Sequence, residues 1–189
     1  MQYEAIVIGV SAGGLLALSV LLEALPADFP LPIIVVQHRS KDERTLLEEV
    51  LQAKCRIRIS EADEKERIMN GTVYLAPAGY HLLVEKDRRF SLTCDPPVHY
   101  SRPSIDVLFE TAAEAYGKNL AGIVLTGANQ DGAAGIQEVR RHGGMTIAQD
   151  PGDAPFPAMP RAAIATGCVR RVLTLEAIKV FLTDIGKND

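Results

Sequence analysis

The chain has 189 residues, 47% hydrophobic and 23% charged, which suits one globular domain and excludes both disorder and a coiled coil. Its net charge of −4 speaks against a generic polyanion binder, because phosphate neutralisation needs clustered Lys and Arg. No apolar run approaches the roughly 20 residues of a membrane span. The start, MQYEAIVIGVSAGG, lacks the basic n-region of a signal peptide. Cys55, Cys94 and Cys168 are widely spaced and fit neither a disulfide framework nor a zinc pattern, so a reducing cytoplasm is the expected compartment.

In chain order, Ala5–Ile8 reads as a continuous apolar strand, followed by a helix over Gly13–Leu25 with Leu15, Leu18, Leu22 and Leu25 at helical spacing. Ile33–Val36 is a second buried strand. Asp42 is placed to cap a helix to about Ala53, with Leu46, Leu47, Val50 and Leu51 on its inner face. Thr72–Ala76, His81–Glu85 and Phe90–Thr93 alternate more and read as antiparallel strands, the last two as a hairpin. A helix from Ser104, a strand over Gly122–Leu125, a helix from Asp131 to His142 and a strand over Met145–Ala148 resume the α/β rhythm. A Pro-rich loop, a short helix over Arg161–Thr166, and a last strand and helix close the chain. Strands without polar alternation, separated by helices, imply a sheet covered on both faces. The expected fold is therefore α/β: a doubly wound, mainly parallel sheet with helices on both faces and an antiparallel hairpin, in a single domain over residues 1–189.

In open parallel sheets, ligands bind outside the carboxyl ends of the strands. Ser11 follows the first strand in G-x-S-x-G, His38 follows the second, and Asp131 lies six residues beyond the strand GIVL. A serine hydroxyl needs an imidazole to take its proton, and the imidazole needs a carboxylate to hold its tautomer. A strand–Ser–helix turn also offers backbone N–H groups to an oxyanion. Each residue has a plainer reading. Ser11-Ala12-Gly13-Gly14 also suits a phosphate-binding turn, His38 a hydrogen-bonded structural role, and Asp131 the N-cap of the helix that follows. Spacing alone leaves hydrolase and nucleotide site both open. No metal motif is present, and His81, His99 and His142 read as loop, strand or helix-end residues.

Six segments together decide between these readings: IGVSAGG (Ile8–Gly14), VVQH (Val35–His38), VYLAPAGYHLLV (Val73–Val84), SRPSIDVLFETAA (Ser101–Ala113), GIVLTGANQDGAAG (Gly122–Gly135) and AQDPGDAPFPAMPRAAIATGCV (Ala148–Val169). In this order, the chain resembles the catalytic domain of the CheB family, the chemotaxis-type protein-glutamate methylesterases. The resemblance implies a Ser–His–Asp hydrolase that removes glutamate γ-methyl esters from the helices of a receptor and releases methanol, with glutamine deamidation as adjacent chemistry. It puts the nucleophile on Ser11, the base on His38, the orienting acid on Asp131, and oxyanion donors on the backbone of Ala12 and Ala128. It implies no metal or organic cofactor and no nucleic-acid partner. The rival from another class is a non-catalytic binding module of the same fold. Ala12 stands where the family usually has Thr, Ala128 where it has Met, Asn129 where it has Gly, and Arg39-Ser40-Lys41 where it has a Pro-containing stretch. Family members commonly carry an N-terminal receiver domain; this sequence opens directly on its first strand, so the expectation is no receiver and an open, polar-rimmed, constitutively active site.

Overall fold

The computed structural model describes residues 3–38 and 47–185. Seven strands form one parallel sheet in the order β3-β4-β2-β1-β7-β8-β9: β1 (Ala5–Val10), β2 (Ile33–Gln37), β3 (Arg58–Glu61), β4 (Thr72–Leu75), β7 (Leu120–Val124), β8 (Met145–Gln149) and β9 (Arg171–Leu173). The remaining two, β5 (His81–Val84) and β6 (Phe90–Thr93), form the antiparallel hairpin. The chain passes from β1 to β2 and on to the edge at β3, steps back to place β4 between β3 and β2, then crosses to the other side of β1 for β7, β8 and β9. The order therefore reverses at β1, with β2 and β7 as its parallel neighbours. A crevice at that reversal is where such sheets hold ligands.

All six residues of β1 are buried because both faces of the sheet are covered. Ile6, Ile8 and Val10 pack with Leu18 and Leu22 of α1 (Gly14–Leu22), Leu51 of α2 (Leu47–Gln52), and Ile178 and Leu182 of α6 (Leu175–Ile185). Ala5 and Val7 face Phe109 of α3 (Ile105–Tyr116), Ile136 of α4 (Ala133–Arg141), Ala163 of α5 (Ala158–Ala165) and the hairpin. Each large aliphatic side chain so enclosed contributes about 1.5–3 kcal/mol. Gly135 lets α3 and α4 approach closely, since a Cβ there would lie 2.5 Å from Cβ of Phe109.

The expected fold class is present, with local differences. Thr72–Ala76 was expected to be antiparallel; β4 instead runs parallel between β2 and β3. Its alternation resembles a half-exposed strand, yet Thr72 and Tyr74 are buried, with Tyr74 edge-on to Phe90 of the hairpin at 4.8 Å. Edge strand β3 has four residues and buries only Ile59 fully, so it lacks the apolar run that marks the inner strands. Helix α1 ends at Leu22, three residues before the expected end, and α5 begins at Ala158, three before Arg161. The expected cap at Asp42 and the inner-face Leu46 lie outside the described residues. Among the described residues no helix is long and apolar enough to cross a membrane.

Candidate active site

Ser11 is fixed by its backbone. Its N–H donates to the carbonyl of Thr126 at 3.0 Å, and its own carbonyl accepts the N–H of Gly14 at 2.9 Å. Gly13, with φ of 79°, makes the left-handed turn from β1 into α1 that a side chain would oppose. His38 continues β2, its N–H donating to Val10 at 3.0 Å, so base and nucleophile leave adjacent strands at one level. Asp131 comes from the loop after β7, on the other side of β1. The carboxyl ends of three neighbouring strands thus deliver the three residues that spacing nominated.

Nε2 of His38 lies 2.7 Å from Oδ2 of Asp131, with side-chain exposures of 9% and 0%. Burial pushes the Asp131 carboxyl up. The His38 hydrogen bond and the N–H groups of Ile105 and Asp106 outweigh that push and hold it below the usual carboxylate range. An ionised Asp131 accepts a hydrogen bond from Nε2–H, which leaves the ring's lone pair on Nδ1. Ser101 Oγ and Asn129 Nδ2 each lie 3.4 Å from that nitrogen. The Asn129 carboxamide is oriented by the Asp131 N–H, which donates to its Oδ1 at 3.1 Å. No hydrogen bond joins Ser11 Oγ to His38 among the described residues. Such bonds often tighten only with substrate bound.

Asp131 does not cap its own helix; Gly132 occupies that position. Its carboxylate turns to α3, accepting Ser104 Oγ (2.9 Å), the Ile105 N–H (2.7 Å) and the Asp106 N–H (3.0 Å). Asp106 of α3 reciprocates, its Oδ1 accepting the N–H groups of Gly132 (2.9 Å) and Gly135 (2.6 Å) at the head of α4. Burial, with the nearby charge of Asp131, pushes Asp106 up to about 6 against the pull of the Gly135 N–H and His99. His99 Nε2 sits 3.3 Å from Asp106 Oδ2. One ligand atom each of His99, Asp106 and Asp131 lie within 4.8 Å of one another. The N–H and O–H groups converging on these carboxylates already satisfy them, so the cluster is built as paired helix caps rather than as a cation cage.

Helix α1, by contrast, starts without a side-chain cap and without an acid in its first turn. Among the described residues, no acceptor is recorded for the N–H groups of Ala12 and Ala128. A depression of about 480 Å³ opens beside Ser11, lined by Leu15, Leu16, Ser19 and Lys54. A second of the same size reaches Asn129 and is walled by His99, Tyr100 and Ala162. Leu15 and Leu16 are 45% and 67% exposed, so this rim is less polar than expected. Of the other histidines, His81 accepts the Ser104 N–H (3.2 Å) and faces the Pro96 carbonyl; His142 faces the Glu138 carbonyl at the end of α4. Sequence reasoning missed Ser101, Asn129 as a partner of His38, and Gln37. The last two stand beside the nominated residues, the only signal that pointed to them.

A serine, an imidazole and an ionised carboxylate at the switch point of an open parallel sheet are the constellation that serine hydrolases use. The chain belongs to the CheB methylesterase family, whose model matches residues 6–182. It is 48% identical over 189 residues to a putative protein-glutamate methylesterase/protein-glutamine glutaminase of Leptospira interrogans, spanning all of this chain and 98% of that one. It is also 39% identical to the protein-glutamate methylesterase FrzG of Myxococcus xanthus, covering 93% of this chain and 53% of that protein. The crystal structure of the Thermotoga maritima CheB methylesterase catalytic domain superposes with a TM-score of 0.92 at 31% identity, over 98% of this chain and all of that one.

Proposed function

We propose that the protein hydrolyses glutamate γ-methyl esters on the helices of chemoreceptor-like proteins, with Ser11 as nucleophile, His38 as base and Asp131 as orienting acid. The observation that carries this reading is the 2.7 Å His38–Asp131 contact beside a serine held at an uncapped helix N-terminus. Ser11 Oγ rotates toward Nδ1 of His38, gives up its proton and attacks the ester carbonyl. The N–H groups of Ala12 and Ala128 receive the oxyanion. Collapse of the intermediate expels methoxide, which leaves as methanol with the proton from His38. Water, activated by the same nitrogen, then releases the glutamate carboxylate and regenerates Ser11. No step calls on a metal or organic cofactor.

Glutamine deamidation follows the same course with ammonia leaving, and the double designation of the Leptospira relative supports including it. The compartment that suits this reading is the cytoplasm, for which the three free cysteines speak. The test is methanol release from membranes carrying a methylated chemoreceptor, wild type against Ser11→Ala. Release by the wild type alone supports the reading. Release by neither supports the rival, a non-catalytic binding module. Equal release by both removes Ser11 from the mechanism.

A further inference from the structure

Ser11 and His38 follow the ends of separate strands, and among the described residues no side-chain bond ties one to the other. Gln37 supplies a tie through the backbone. As the last residue of β2 it pairs in register with Val10, immediately before Ser11. Its Nε2 donates to the carbonyl of Ser11 at 3.0 Å and to that of His38 at 2.9 Å, so both amide hydrogens are engaged. The reverse orientation would set Oε1 against two carbonyl oxygens, so these contacts fix which atom is nitrogen.

Two further observations show that this arrangement is built at a cost. Oε1 of Gln37 is buried and has no hydrogen-bond partner among the described residues, a state that disfavours the fold unless the other end of the amide returns something. Gly14 also leaves room for the amide, since a Cβ there would lie 1.9 Å from that Oε1. The second glycine of the Ser11 turn therefore serves Gln37 rather than a left-handed backbone.

We propose that Gln37 is a positioning residue for ester hydrolysis: by clamping the carbonyls of Ser11 and His38 it extends the β1–β2 ladder past its end and holds nucleophile and base at a fixed separation. The proposal rests on the reading of Ser11 and His38 given above. Gln37 touches neither the ester nor the reacting atoms. Misplacement of catalytic groups by about 1 Å can cost about 100-fold in rate, which is the scale of effect expected here.

The experiment compares wild type with Gln37→Met, which keeps the length and removes both donors, and with Gly14→Ala, which leaves Gln37 in the chain but presses on its amide and on Cγ2 of Val10, with Val10→Ala as the control that relieves the second contact alone. Steady-state methyl ester hydrolysis, the rate of Ser11 labelling by a fluorophosphonate, and thermal melting are measured on each. Gln37→Met and Gly14→Ala should each lose about 10–100-fold in kcat and in labelling rate, with KM within about twofold. The two losses should not add in the double variant, because each removes the same clamp. The losses should persist at temperatures where melting shows every variant fully folded. Labelling and kcat within twofold of wild type in folded Gln37→Met or folded Gly14→Ala would overturn the proposal, as would a loss expressed wholly in KM. If Gln37→Met fails to fold, Gly14→Ala decides alone. A wild type that is not labelled at Ser11 would overturn the underlying hydrolase reading as well, which separates the two failures.

Discussion

Three helices begin around the candidate site, and the protein treats their N-termini in opposite ways. At α3 and α4 the first N–H groups are filled by buried carboxylates exchanged between the two helices, Asp131 serving α3 and Asp106 serving α4. At α1, which starts three residues after Ser11, there is no capping side chain and no acid. A helix N-terminus carries roughly half a positive charge and favours an anion. The heads of α3 and α4 spend it on the protein's own carboxyl groups, which fixes Asp131 in place. The head of α1 is left open, and the mechanism proposed above uses it for a negative charge that exists only during reaction.

The strongest blow to the open end is loss of Ser11, the proposed nucleophile. Ser11→Ala should lower kcat by about three orders of magnitude or more in methanol-release assays, leaving only oxyanion and binding effects. At the filled end, Asp131→Asn should cost both activity and stability. An amide NH2 would face donor groups on one side of the former carboxylate, so unfolding in denaturant should show a loss of about 3 kcal/mol, with kcat down by about 10³-fold or more.

Ala12→Asp tests the contrast directly by making the open end resemble the filled ones. A carboxylate there should gain about 0.3–1 kcal/mol from the helix dipole, while kcat falls about 10–100-fold as it competes with the oxyanion. Stability and activity moving in the same direction would break the comparison. The smallest effect concerns pH. The Asp106 carboxyl is raised to about 6, above an ordinary value of about 4, so the folded state binds the extra proton between those pH values. Its contribution to stability is therefore largest below the ordinary value and is lost as pH rises through about 6. Asp131, lowered, contributes stability that disappears only under stronger acid. In Asp106→Asn, Oδ1 can still accept the Gly132 and Gly135 N–H groups. Wild type should accordingly gain melting temperature relative to this variant as pH falls from 7 to 4.5; a constant difference would contradict the shift.

The sheet core was legible because β1, β2 and β7 are continuous apolar runs, and a parallel sheet covered on both faces requires such runs. The triad followed from asking what stands at the end of each of those strands. Thr72–Leu75 misled for a physical reason: whether Thr72 and Tyr74 face water depends on the hairpin folded over them, and local alternation carries no trace of that cover. Asp131 was ambiguous between cap and catalyst; its carboxylate meets both the His38 ring and the head of α3, a different helix from the one its sequence position suggests. Gln37, Ser101 and Asn129 act through contacts with carbonyls or a ring nitrogen brought from other strands, and no spacing rule encodes such contacts.

The central claim is that the hydroxyl at the open helix end is activated by His38. Incubation with a fluorophosphonate followed by peptide mapping in a mass spectrometer tests it most directly. The account predicts one adduct, on Ser11, formed in the wild type and slowed by at least about 100-fold in His38→Ala. An adduct on another residue, or equal labelling of Ser11 without His38, would contradict it.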